Sequence, residues 1–192
     1  MRTVPMSLAR FICRDDEERA WLLDMHRRMI PVERMATLVV VVVLVGCIPW
    51  FPLLAIPPMV LAGVLFFAGS YSVRKVRRLE PLLAGWFLAT ALIMVAVVVN
   101  ANAHPVDGGA VSVGSALLIW PLLGACGALP TRIVACCAAW CCALVLVGCF
   151  AMFPSESLAY PPLVAVPIGM LIATAVISSA VRRASMEHRT AA

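Results

Sequence analysis

Five stretches of this chain carry no charged side chain: residues 35–73, 81–106, 108–131, 133–155 and 157–181, which are 39, 26, 24, 23 and 25 residues long. A helix needs about 20 apolar residues to cross the hydrocarbon of a bilayer, because roughly 30 Å is covered at about 1.5 Å per residue. Each of the last four stretches therefore holds one span. The first is nearly twice as long as a bilayer is thick, and Pro49, Pro52, Pro57 and Pro58 interrupt its middle, so it is expected to fold back as a hairpin. The spans expected are about 35–51, 55–73, 82–100, 113–129, 133–153 and 161–181. With 63% of the 192 residues hydrophobic and 13% charged, a soluble globular domain is excluded. The expected fold class is all-α: a polytopic membrane protein of six transmembrane helices.

Six spans put both termini on one side of the membrane. Seven arginines precede the first span, Arg74, Lys75, Arg77 and Arg78 lie between the second and third, Arg132 lies between the fourth and fifth, and Arg182, Arg183 and Arg189 follow the sixth. All 15 basic residues thus fall on one face, and the other carries only Asp107 and Glu156. The positive-inside rule places the basic face, with both ends of the chain, in the cytoplasm. A single span over residues 35–73 would throw the Arg74 cluster outside, so the same rule argues for the hairpin. The net charge of +5 reports orientation and contact with anionic lipid, not nucleic-acid binding. No cleavable signal peptide is apparent, because a polar head of about 34 residues is too long for the basic start of one. The expected organisation is a cytoplasmic segment 1–34, a membrane domain 35–181 and a cytoplasmic exit 182–192.

Residues 14–30 read RDDEERAWLLDMHRRMI, acids first and arginines last, which suits the helix dipole, with Pro31 as a stop. Trp21, Leu22, Met25 and Met29 share one face of such a helix, so it is expected to lie on the inner membrane surface. It reads as an anchor for the terminus, with a lever or docking helix as the other reading; His26 falls on the polar side. At the far end, neither Pro nor Gly occurs from Met170 to Ala192, so the sixth helix is expected to run on through Val181, Arg182, Arg183, Ala184 and His188. Ile177, Val181, Ala184, His188 and Ala191 follow the 4-3-4-3 spacing of a two-stranded seam.

Catalytic chemistry is sparse. No Asp, Glu, Lys, Arg or His lies within an expected span, which argues against proton or ion coupling. His26, His104 and His188 are all outside the spans, so no axial haem ligand is at depth. Ser112, Ser115, Ser178 and Ser179 have no intramembrane base to activate them. No phosphate-binding loop or dinucleotide fingerprint occurs. No catalytic residue, metal site or cofactor is expected. Of eight cysteines, Cys136, Cys137, Cys141, Cys142 and Cys149 share the fifth span. Cys137 and Cys141 share a helix face, which a soft ion such as Cu(I) could use, but with no His or acid beside them they read as small apolar packing residues. Ala135, Ala139 and Ala143 in that span, and Gly124 and Ala128 in the fourth, are expected to let helices approach closely. Trp50, Trp86, Trp120 and Tyr160 are expected as interface anchors.

The longest outside loop, NANAHPVDGGAVS at 100–112, gathers Asn100, Asn102, His104 and Asp107, which could contact a small ligand or ion; an ordinary turn-rich loop is the simpler reading. A permease for a small solute would need Thr90, Asn100, Ser115, Thr174, Ser178 and Ser179 to line one cavity.

The leading segment ERAWLLDMHRRMIPVERMA, the exit RRASMEHRTAA and six spans with both ends inside give the chain an overall arrangement that resembles the membrane input region of actinobacterial diguanylate cyclases of the Gly-Gly-Asp-Glu-Phe class. The resemblance covers nearly the whole chain. It implies a bacterial plasma-membrane protein in cyclic di-GMP signalling, a sensing and dimerising bundle, and a cytoplasmic output domain or partner driven by the sixth helix. It also implies a homodimer through the exit helix, since such a cyclase joins two GTP molecules held by two subunits. Neither the Gly-Gly-Asp-Glu-Phe motif nor an Asp-Pro-Leu-Thr-Gly opening occurs in the chain, so no catalytic residue carries over. The alternative reading is a stand-alone membrane protein that acts by assembly with a partner.

Overall fold

The computed structural model describes residues 19–20, 22–25, 27–28, 31, 35, 38, 42, 52–76, 80–103, 115–152 and 161–190. All regular structure among the described residues is helical. A 3-10 turn, Leu53–Ala55, leads into α1 (Ile56–Val76); α2 is Glu80–Ala103; a second 3-10 turn, Ala116–Leu118, leads into α3 (Ile119–Ala128); α4 is Thr131–Met152 and α5 is Pro162–Thr190.

Proline marks where these helices begin. Pro57 and Pro58 stand in the first turn of α1, Pro81 is second in α2, Pro121 is third in α3, and Pro162 opens α5. The first N–H groups of a helix have no partner within it, so a residue without an N–H costs nothing there. Before α4, Leu129 is extended (φ −120°, ψ 155°), as the residue ahead of a proline tends to be, and the Pro130 carbonyl accepts from the amides of Ile133 at 2.9 Å and Val134 at 3.0 Å. Pro161 does the same for Val164 at 3.0 Å and Ala165 at 2.9 Å. Ahead of α1, the Ala55 amide donates to the Pro52 carbonyl at 2.9 Å and closes the 3-10 turn; the part of the expected hairpin before Pro52, from residue 43, lies outside the described residues. Pro31, expected to end the leading helix, is itself helical, as are Met35, Leu38 and Val42; the rest of the expected span 35–51 lies outside the described residues.

Glycine sets the closest contact. α1 and α2 form an antiparallel pair in which Gly85 faces the Leu65 carbonyl and Gly69 faces Leu82. A methyl group added at Gly85 would stand 3.1 Å from that carbonyl oxygen, and one at Gly69 would stand 3.3 Å from the Leu82 Cα. α2 also packs on α4, with Thr90 opposite Trp140 and Met94 against Gly148, so the two run in the same direction and their starts lie at one end of the bundle. α3 contacts α4 and α5, and α5 contacts α4.

Among the described residues, α2 and the 131–150 part of α4 are long and apolar enough to cross a membrane. Their 24 and 20 residues rise about 36 and 30 Å. Outward-facing positions on these helices are apolar as well, among them Leu88, Val95, Val147 and Phe150, and α5 adds Ile172, Val176 and Ile177. A helix that is apolar all round belongs in a large core or in a bilayer. α3 differs from the expected span 113–129: its 10 residues rise only about 15 Å, and the turn before it is 3-10.

Candidate functional site

A polar cluster among the described residues joins α2, α3 and α4 around the buried Thr90, with Trp140 reaching it from the bundle surface. Thr90, on α2, is fully buried. Its hydroxyl lies 3.0 Å from the Trp86 carbonyl and 2.9 Å from that of Phe87, the back-bond a threonine makes inside a helix. It also accepts from the indole Nε1 of Trp140, on α4, at 3.1 Å. One helical turn earlier, the indole Nε1 of Trp86 donates to the Pro121 carbonyl of α3 at 3.0 Å. Phe87 fills the space between, edge-to-face with Trp86 (centroids 5.3 Å apart) and with Trp140 (5.7 Å). An indole N–H away from water needs an acceptor, and both have one. The cluster carries no titratable group, so its chemistry is positional: it fixes the register of three helices.

Trp86 was expected as an interface anchor, and the structure corrects this. It is 6% exposed, because it stands nearly two turns into α2 on the face that meets α3. Of the other expected anchors, Trp50 and Tyr160 lie outside the described residues, as does the Trp120 side chain. Thr90 four residues after Trp86, with a further tryptophan in mid-span at 140, was the sequence signal for this cluster.

A second correction concerns small residues. Ala135, Ala139 and Ala143 face outward, as does Gly124. The packed face of α4 is instead Val134, Cys137, Cys141, Val145 and Cys149, all at most 3% exposed and spaced by three and four residues. Cys136 is exposed and Cys142 half-buried. Among the described residues, no three His, Cys, Asp or Glu side chains are arranged to hold a metal ion.

At the end of the bundle where α2 and α4 begin, the leading segment touches the core. Leu22 is fully buried in the same apolar cluster as Leu83 and Trp86, with Leu23 packed against it. Arg19 Nη2 lies 3.4 Å from Oε1 of Glu80, the first residue of α2. The carboxylate stands where the helix dipole favours it. Asp24 and Arg28 pair at 2.8 Å on the solvent side of the leading helix.

The other expected site residues are distributed along the chain. Arg74 and Lys75 belong to the last turn of α1, while Arg77 and Arg78 lie outside the described residues. Asn100 and Asn102 are in the last turn of α2, the first half-buried and the second exposed; His104 and Asp107 lie outside the described residues. Val181, Arg182, Arg183, Ala184 and His188 are all in α5, whose backbone stays helical to Thr190. Of the residues a permease would use, Thr90 and Ser115 are fully buried, while Thr174 donates to the Met170 carbonyl of its own helix at 2.7 Å.

No family model, curated protein or solved structure matches the chain.

Proposed function

We propose that this chain is a six-span membrane module, with both ends in the cytoplasm, that passes a change in its bundle to a cytoplasmic output through α5. This is the role implied by its resemblance to the input regions of diguanylate cyclases. The observation that carries the reading is the length of α5: 29 helical residues, about 43 Å, against the roughly 30 Å of hydrocarbon, with its one internal proline, Pro167, in the second turn and none in the exit. Its apolar part ends at Val181, and Arg182 begins more than two further turns of helix. A helix that leaves the bilayer without a stop carries rotation or translation with it, where a loop would absorb them.

The rest of the chain supports a relay over a reaction. The expected spans hold no Asp, Glu, Lys, Arg or His, the outward faces are apolar, and the polar cluster around Thr90 holds helices in register. The basic residues of the leading segment, the cluster at 74–78, Arg132 and the exit all belong on the inner face of a six-span topology. A stimulus acts on such a bundle only by binding one arrangement better than another, and α5 then reports which one is populated. The output, whether a following domain or a partner protein, lies on the cytoplasmic side, and the exit helices of two copies pair to bring two outputs together.

Single cysteines at Val181, Arg183, Ala184, Met186 and His188, oxidised in native membranes and compared with the parent chain, test this. Disulfide-linked dimers should be strong at 181, 184 and 188 and weak at 183 and 186, the pattern of a seam. Monomer at every position, or equal yields at all five, would contradict the paired exit.

A further inference from the structure

The leading helix has one apolar face and two surfaces that compete for it. Read from sequence, Trp21, Leu22, Met25 and Met29 form a face that a bilayer surface takes up. Leu22 from that face is instead fully buried in the bundle core, and Arg19 reaches Glu80. A single face cannot lie on lipid and in the bundle together. We propose that residues 19–28 form a strap that exchanges between docking on the start of α2, through Leu22 and the Arg19–Glu80 pair, and lying on the inner lipid surface. The inference rests on the inside placement of the leading segment.

The docked contact has the make-up of a reversible one. It uses one fully buried leucine, the half-buried Leu23 beside it and one partly exposed ion pair with a loose 3.4 Å separation. The second carboxylate oxygen of Glu80 is buried without a hydrogen-bond partner, which counts against the docked state. Asp24, Arg27 and Arg28 face solvent, so among the described residues nothing on the far side of the helix adds to the grip. Glu80 opens the helix that carries Trp86 and Thr90, so release of the strap removes a contact from the helix that sets the register of α3 and α4. The strap thereby couples the state of the lipid surface to the bundle.

Methyl-labelled methionine in the full chain, placed in lipid nanodiscs with nitroxide-bearing headgroups, reads the exchange at Met25, a half-buried strap residue assigned through Met25→Leu. Arg19→Glu or Glu80→Arg should increase broadening of the Met25 methyl about twofold to fivefold, the population shift that a partly exposed ion pair supports. Combining the two should bring the value most of the way back to the parent's, less the cost of an arginine at the start of α2, and in nanodiscs of zwitterionic lipid Arg27→Glu, on the solvent side, should leave it unchanged. Broadening unaffected by Glu80→Arg, or a combined variant that stays released, would overturn the strap. If the strap responds as expected but the leading segment is labelled from outside the cell, the topology fails and the strap contact stands.

Discussion

Truncating Trp86 to alanine should lower the stability of the bundle by about 3–5 kcal/mol, the range for removing a large buried aromatic side chain. In a bilayer the apolar transfer term is small, because lipid is as apolar as the core, so the loss comes from packing and hydrogen bonding. Both are concentrated at this residue. It is 6% exposed, meets Phe87 edge-to-face and donates to the Pro121 carbonyl at 3.0 Å, its direct tie from α2 to α3. Trp86→Phe keeps most of the volume and loses the donor, and its cost should be about 1–2 kcal/mol. Thr90→Val, which leaves the Trp140 indole without its acceptor, should cost less again, about 0.6 kcal/mol and at most near 1.7, the measured range for hydrogen bonds between membrane helices. Unfolding of the purified chain in mixed micelles by added denaturing detergent gives all three values. Equal costs for Trp86→Ala and Trp86→Phe would show that the ring is not packed as described.

Leucine at Gly85 should cost about 3 kcal/mol or more and disturb the pairing of α1 with α2, whereas alanine at Gly148 should be tolerated to within about 1 kcal/mol. The difference lies in what each new Cβ meets. At Gly85 it meets the Leu65 carbonyl at 3.1 Å, backbone that moves only if the whole helix moves. At Gly148 it meets the terminal methyl of Met94, the end of an unbranched side chain with several rotatable bonds. A leucine at 85 cannot be accommodated by rotamer changes alone; an alanine at 148 can. The same detergent titration reads both, and a Gly148→Ala variant less stable than Gly85→Leu would reverse the argument.

The all-helical class and the positions of the helices were legible because charge and proline punctuate the chain. The helices α1, α2 and α4 fall over stretches read from charge-free runs, and Pro57 and Pro58, two of the four prolines that divide the first run, stand at the start of α1. Helix faces were not legible. A segment that is apolar all round has no stripe to betray which side is packed, so Ala135, Ala139 and Ala143 were taken for the contact face while Cys137, Cys141 and Cys149 occupy it. The burial of Leu22 was hidden for a related reason, since the same amphipathic pattern serves a bilayer surface and a protein groove equally well. The length of α3 escaped because the charge-free run 108–131 gives no sign of the 3-10 turn at Ala116–Leu118 that leads into the helix. Of the candidate site, the polar cluster needed the crossing of α2 with α4 before Thr90 and Trp140 could be seen as partners.

The proposed topology rests most directly on which side of the membrane the connection between α1 and α2 lies. Single cysteines at Arg77 and at Asp107, treated in intact cells with a thiol reagent that cannot cross the membrane, decide it. The six-span reading expects labelling at 107 and none at 77 until the cells are opened. A cysteine at 77 that labels from outside, with 107 protected, would contradict it.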